Sequence, residues 1–194
     1  MRALLFIAVV LLTATANAQS VYSGYFRVGP SLPSSGNGVQ VGGGVDLVYD
    51  SGSWLLDVDA SYVREAKLYV GDGQSIRTQG EALVRLGKGV YAGGGMAAGR
   101  HINSDYAKNQ FLPMASVHYR PSMKSDLYFT YLFPAFGNAD RVTGYRGGYR
   151  ATIPTSKRVG LFSQIEYTHF AFTSNGKRYQ SGSVMFGIGI SAIR

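Results

Sequence analysis

The chain has no cysteine, which excludes a disulfide framework, a thiolate metal centre, an iron–sulfur cluster and a cysteine nucleophile together. Charge is scarce: 15% of the 194 residues are Asp, Glu, Lys or Arg, and 13% are aromatic, a balance unlike that of a disordered chain. No apolar run reaches the ~20 residues that a membrane-spanning helix needs. No stretch carries a capped 3.6-residue period either. What is abundant is glycine (26) and tyrosine (14), a mixture that disfavours helix and favours strand.

Residues 1–18 read as an address. Arg2 precedes the apolar run Ala3 to Leu12, and the segment ends in the small-x-small group Ala16-Asn17-Ala18. That arrangement predicts a secretory signal peptide cleaved before Gln19, leaving 19–194 as one domain. Export without a lipid or helical anchor is compatible with the periplasm, the exterior or an outer membrane.

Beyond Val21 one grammar repeats: about a dozen residues of two-residue alternation, then a cluster of turn formers. The spacing predicts ten strands, at 22–30, 39–49, 54–68, 75–87, 90–102, 109–120, 126–136, 142–153, 159–172 and 178–192. Eight strands follow if the first is a leader or two segments merge. Asp50-Ser51-Gly52-Ser53, Gly71-Asp72-Gly73, Gly87-Lys88-Gly89 and Ser174-Asn175-Gly176 supply residues that tolerate positive φ or preset a turn.

Eight of these ten segments sort charge onto one face. In 54–63, Trp54, Leu56, Val58, Ala60 and Tyr62 oppose Leu55, Asp57, Asp59, Ser61 and Val63. In 76–86, Ile76, Ala82, Val84 and Leu86 oppose Arg77, Glu81 and Arg85. Segment 90–102 is too rich in Gly and Ala to assign, and 126–136 is aromatic on both faces. The mid-strand charges are Arg27, Asp46, Asp57, Asp59, Arg77, Glu81, Arg85, Arg120, Arg146, Arg150 and Glu166, with no lysine among them. Arg with Asp or Glu suits a confined interior, where a planar guanidinium can hold a carboxylate bidentately. Strands of about a dozen residues exceed the ~5–6 usual in soluble sheets and match the ~9–11 that cross a bilayer at a tilt. Tyr49, Trp54 and Tyr119 flank the turns of one rim on the apolar parity, as an interfacial aromatic girdle does. The expectation is an all-β, up-and-down antiparallel transmembrane barrel, apolar face to lipid and charged face to a lumen.

This pattern resembles the small bacterial outer-membrane β-barrels of the OmpA/OmpX-like group, over residues 19–194 and without an invariant motif. The resemblance implies insertion by the barrel-assembly machinery and outer-membrane lipid as a partner, with Lys108, Arg141, Lys177 and Arg178 near head groups. One departure is the C-terminus, Ile190-Ser191-Ala192-Ile193-Arg194, where many members end in an aromatic residue.

For function, the eleven charges predict an ion-paired lumen with a structural role, or a narrow pore whose arginine excess favours anions. The main rival is a soluble, exported, lipocalin-like barrel with Asp57, Glu81 and Arg85 in water. A lesser rival, drawn from the family, is a lipid-modifying enzyme, but His101-Ile102-Asn103-Ser104 misses the His-x-Ser spacing, and neither His118 nor His169 supplies it. Asp57 and Asp59 form a carboxylate pair without an evident His partner. No catalytic, cofactor or metal constellation is predicted. Gly93-Gly94-Gly95-Met96-Ala97-Ala98 fits a dinucleotide fingerprint only formally, since no helix follows. The net charge of +8 is dispersed, unlike a nucleic-acid face.

Overall fold

The computed structural model describes residues 19–33, 38–67, 73–102, 107–122, 124–134, 142–174 and 177–194. Residues 1–18, expected to be a signal peptide, lie outside these, as do most connections at one rim. The described residues form ten strands, the number predicted by the turn spacing. They are β1 (Gln19–Pro33), β2 (Gly38–Asp50), β3 (Trp54–Lys67), β4 (Gly73–Gly87), β5 (Val90–Ile102), β6 (Ala107–Ser122), β7 (Ser125–Leu132), β8 (Val142–Pro154), β9 (Val159–Ser174) and β10 (Lys177–Ile193). Each pairs antiparallel with its neighbours in sequence, and β1 pairs with β10 to close the cylinder.

Both ends of the barrel chain lie at one rim, here the lower. Ser20 and Arg194 exchange backbone hydrogen bonds of 3.0 and 2.9 Å there. The lower turns are short, and two of them need glycine. Gly52 has φ 84° and donates to Asp50 Oδ1 at 2.7 Å, and Gly89 has φ 70° in the two-residue turn between β4 and β5. Strand β7 stops at Leu132, short of the expected 136, because Pro134 cannot donate to a ladder.

Burial alternates along the strands with period two. In β7 the order from Asp126 to Leu132 is buried, exposed, buried, exposed, buried, exposed, buried. Aliphatic and aromatic side chains cover the outside: Ile188 is 70% exposed, Ile190 64%, Val84 61% and Val45 60%. The inside holds Asp57 and Glu81 at 1% and 2%, with Leu55, Leu83 and Leu132 filling space between polar groups. This is the reverse of a lipocalin-like barrel, which needs Val58 and Val84 within and Asp57 and Glu81 in water. The inverted wrapping excludes that rival for the described residues.

Candidate functional site

Inward parity on eight strands, β1–β4 and β6–β9, delivers the charged side chains to one axis. Two clusters of opposite composition result. Toward the lower rim, Arg150 of β8 reaches across the lumen to three carboxylates. Its Nη1 donates to Asp46 Oδ1 at 3.0 Å, and its Nη2 donates to Asp57 Oδ2 and, at 2.5 Å, to Asp126 Oδ2. Nearer the upper rim the roles reverse, and Glu166 of β9 is ringed by three arginines. Arg27 approaches it at 3.7 Å, Arg77 at 3.3 Å and Arg146 at 3.4 Å. Arg146 also lies 3.9 Å from Glu81.

Tyr128 of β7 joins the two clusters. Its hydroxyl donates to Glu166 Oε2 at 2.6 Å and accepts from Gln164 Nε2 at 2.9 Å. Its ring has the Arg150 guanidinium 4.8 Å from the centroid and that of Arg146 at 5.2 Å. On β1, Tyr25 donates to Asp59 Oδ2 at 2.5 Å, and beside it Arg27 Nη2 donates to Ser61 Oγ at 2.9 Å.

His118 of β6 is wholly buried between two acids. Its Nδ1 stands 3.1 Å from both oxygens of Asp126, and its Nε2 stands 3.1 Å from Glu81 Oε1. A carboxylate can only accept, so hydrogen bonds on both sides require both ring nitrogens to carry protons. His118 therefore serves the lower cluster as a cation.

Of the eleven charges singled out in the sequence, Arg27, Asp46, Asp57, Asp59, Glu81, Arg120, Arg146, Arg150 and Glu166 are buried in the lumen, and Arg77 is partly buried. Arg85 is not brought into the network. It has the inward parity, but β4 bulges between Arg85 and Gly87, and its guanidinium bonds the rim carbonyls of Gly52 and Gly87 at 3.0 and 3.1 Å. Sequence reasoning missed Asp126, Tyr128 and the His118 pairing. The signal was present for His118, which shares parity with Arg120. Adding Asp126 and removing Arg85 reverses the expected arginine excess: six buried carboxylates face five guanidiniums, with His118 as the sixth cation. The anion preference drawn from arginine excess is corrected accordingly.

The expected lack of an Asp/His pair is also corrected, since His118 and Asp126 form one. It has no exposed face, and both imidazole nitrogens are occupied, so the ring cannot take a proton from a substrate. His169 stacks on Tyr145 at 5.1 Å on the outer wall, and the side chain of His101 lies outside the described residues. Asp57, His118 and Asp126 bring potential ligand atoms within 4.8 Å of one another. Arg150 and the imidazole already hold the facing oxygens, so a metal ion would have to evict a guanidinium.

A cavity of about 20 Å³ at the lower mouth, lined by Ser23, Asp46, Arg120, Asp126 and Arg150, ends on the Arg150 cluster. That is room for about one water molecule. Above the charges, Ala97, Leu112, Met114 and Leu132 pack together with Phe170 against them.

The barrel is similar to solved bacterial outer-membrane β-barrels. One is Ail, the attachment invasion locus protein of Yersinia pestis, at 13% identity over 90% of this chain and 98% of that one, with a TM-score of 0.42. Neisserial surface protein A gives 13% identity, 90% and 97% coverage, and a TM-score of 0.42. The outer membrane protease OmpT of Escherichia coli gives 8% identity, 92% and 97% coverage, and a TM-score of 0.47. At these values the likeness is one of architecture, and no role is taken from it. No family model matches the sequence, and no curated protein matches it.

Proposed function

We propose that this barrel is an integral outer-membrane protein with a structural role, its lumen sealed by the two inverted ion-pair clusters. One observation carries the reading: the wall is greasy outside and ionised inside. A continuous belt with Val45, Val84, Phe111, Ile153 and Ile188 each at least 60% exposed is far larger than the apolar patches that water-soluble monomers tolerate. Hydrocarbon is the solvent that suits it, and aromatic residues flank it as interfacial anchors do. Tyr49 and Trp54 pack with ring centroids 5.0 Å apart beside the lower turn, and Tyr119 is 48% exposed near the same rim. The short lower turns correspond to the periplasmic side of such barrels.

The sealing half of the reading rests on Arg150 and Glu166. Each is held by three opposite charges from other strands, and water or solute passing the axis must separate them. A narrow pore is the secondary reading, and the small lower cavity is its only support here. The same inaccessible His118 favours a non-catalytic role.

The test is fractionation and labelling of the full chain. Membrane residence predicts resistance to carbonate extraction, heat-modifiable mobility on mild SDS gels, and a probe on Val84→Cys quenched by lipid-borne quenchers. Recovery as soluble periplasmic protein with a water-exposed probe overturns it.

A further inference from the structure

The lumen charges balance, six carboxylates against five guanidiniums and His118, so the excess positive charge of the chain lies at its rims. At the lower rim it gathers at three turns. Arg85 and Lys88 stand at the turn between β4 and β5, Lys124 at that between β6 and β7, and Lys157 and Arg158 at that between β8 and β9. All five are exposed, and Lys124 also borders the lower mouth. Among the described residues no carboxylate pairs with Lys88, Lys124, Lys157 or Arg158. Of the acids described at this rim, only Asp50 stands outside the lumen clusters. It is already taken, accepting from the Gly52 N–H at 2.7 Å and from the Tyr91 hydroxyl at 3.2 Å. Each of the three turns adjoins the lower edge of the apolar wall. Leu86, 70% exposed, lies between Arg85 and Lys88, exposed Leu127 follows Lys124, and exposed Ile153 and Val159 bracket Lys157 and Arg158.

Building on the membrane residence argued above, we propose that the lower rim is a collar selective for anionic glycerophospholipid, its cations holding phosphate head groups while the acyl chains lie on the wall above. Position favours a lipid over a water-soluble polyanion. The cationic turns are spread round the rim, and each has apolar side chains beside it. A phospholipid brings both partners in one molecule, a phosphate for the turn and chains for the wall. One sector shows the fit in detail. The Arg85 guanidinium donates to the Gly52 carbonyl at 3.0 Å, two residues before Trp54, the only tryptophan of the chain. Trp54 packs on Tyr49 at the foot of the wall. Higher on the same face, an open groove of about 340 Å³ runs across β1, β2 and β3, lined by Tyr22, Gly24, Val45, Leu47, Val58 and Ala60. A lipid seated here has its phosphate beside Arg85, its chain in the groove and the Trp54 ring between the two.

Trp54 is the reporter for the test. The full mature chain is folded into vesicles of equal parts phosphatidylcholine and phosphatidylglycerol, with bromine on the acyl chains of one lipid or of the other. Brominated phosphatidylglycerol should quench Trp54 fluorescence as though enriched roughly five-fold beside it. Salt at ~1 M should erase that preference by screening. The double variant Arg85→Gln/Lys88→Gln should be quenched equally by either lipid. Arg100→Gln, near the upper end of β5, should keep the wild-type preference. Equal quenching of the wild-type chain by the two lipids overturns the collar while leaving the wall in hydrocarbon. So does a preference that the double variant retains. Quenching by neither lipid is the separate result that removes the membrane reading, and the collar with it.

Discussion

The phenol end of Tyr128 occupies the space beside Gly148, its partner on the neighbouring strand. A Cβ at position 148 would stand 2.7 Å from the Tyr128 hydroxyl, 2.9 Å from Cζ and 2.5 Å from the Ile165 carbonyl. Tyr25 covers Gly44 in the same way, with 2.7 Å, 2.9 Å and a 2.5 Å approach to the Ala60 carbonyl. Both of these tyrosines need a neighbour without a side chain to reach their carboxylates, Glu166 and Asp59. Gly148→Ala and Gly44→Ala should each destabilise the barrel by about 1–3 kcal/mol through overpacking. Gly24→Ala, where nothing lies within 4 Å, should fall within about 0.5 kcal/mol of wild type. Urea unfolding midpoints compare the three, and equal midpoints would remove the steric explanation.

Arg150→Met removes the single cation shared by Asp46, Asp57 and Asp126. Leaving Asp46 and Asp57 buried without that cation, and Asp126 with His118 in place of both, should cost about 3–5 kcal/mol, seen as loss of the folded band or a lowered unfolding midpoint. Arg85→Gln, which loses only rim carbonyl contacts, should be nearly silent. A silent Arg150→Met would show that the lower cluster does not hold the barrel.

His118→Phe keeps an aromatic ring against Tyr128, where the centroids are 5.6 Å apart, and deletes both hydrogen bonds to acids. Loss of the cation between Glu81 and Asp126 should destabilise by roughly 3 kcal/mol. Thermal unfolding followed by near-UV circular dichroism would measure this, and a wild-type midpoint would rule out His118 as a structural cation.

Val45→Arg tests the outer wall. Position 45 is 60% exposed and well inside β2, so in phospholipid vesicles an arginine there should cost ~2–4 kcal/mol. Unchanged stability of that variant in vesicles would argue that water, and not hydrocarbon, meets this face.

Much of this molecule was readable from alternation alone. Asp57, Asp59 and Glu81 fall on the face opposite Val58 and Val84, which a strand period of two puts on separate walls, and strand length with the Arg–acid mixture pointed that charged wall inward. The turns at Gly52 and Gly89 were legible because they need positive φ. Strand β7 was not, because tyrosine serves both walls: Tyr131 faces out as a greasy ring, while Tyr128 faces in as a hydroxyl donor. That ambiguity hid Asp126. Strand β5 stayed mute for the opposite reason, since Gly93, Gly94 and Gly95 carry no side chain to mark a face. Arg85 had the correct parity but lay at a bulge beside a turn, where inward and outward lose their meaning. Which acid meets which arginine was beyond reach, since Arg150 and Asp46 stand 104 residues apart and meet only across the closed lumen.

The pairing of the first strand with the last sets the order of assembly. Ser23 and Ser191 touch at 2.8 Å but are separated by 168 residues, so this seam can be sewn only after nearly the whole chain has been made. Until then β1 is an open sheet edge with unpaired N–H and C=O groups, beside a surface that water rejects. A chain built this way has no finished wall until its last strand arrives, and closing the cylinder is the event that makes it self-sufficient.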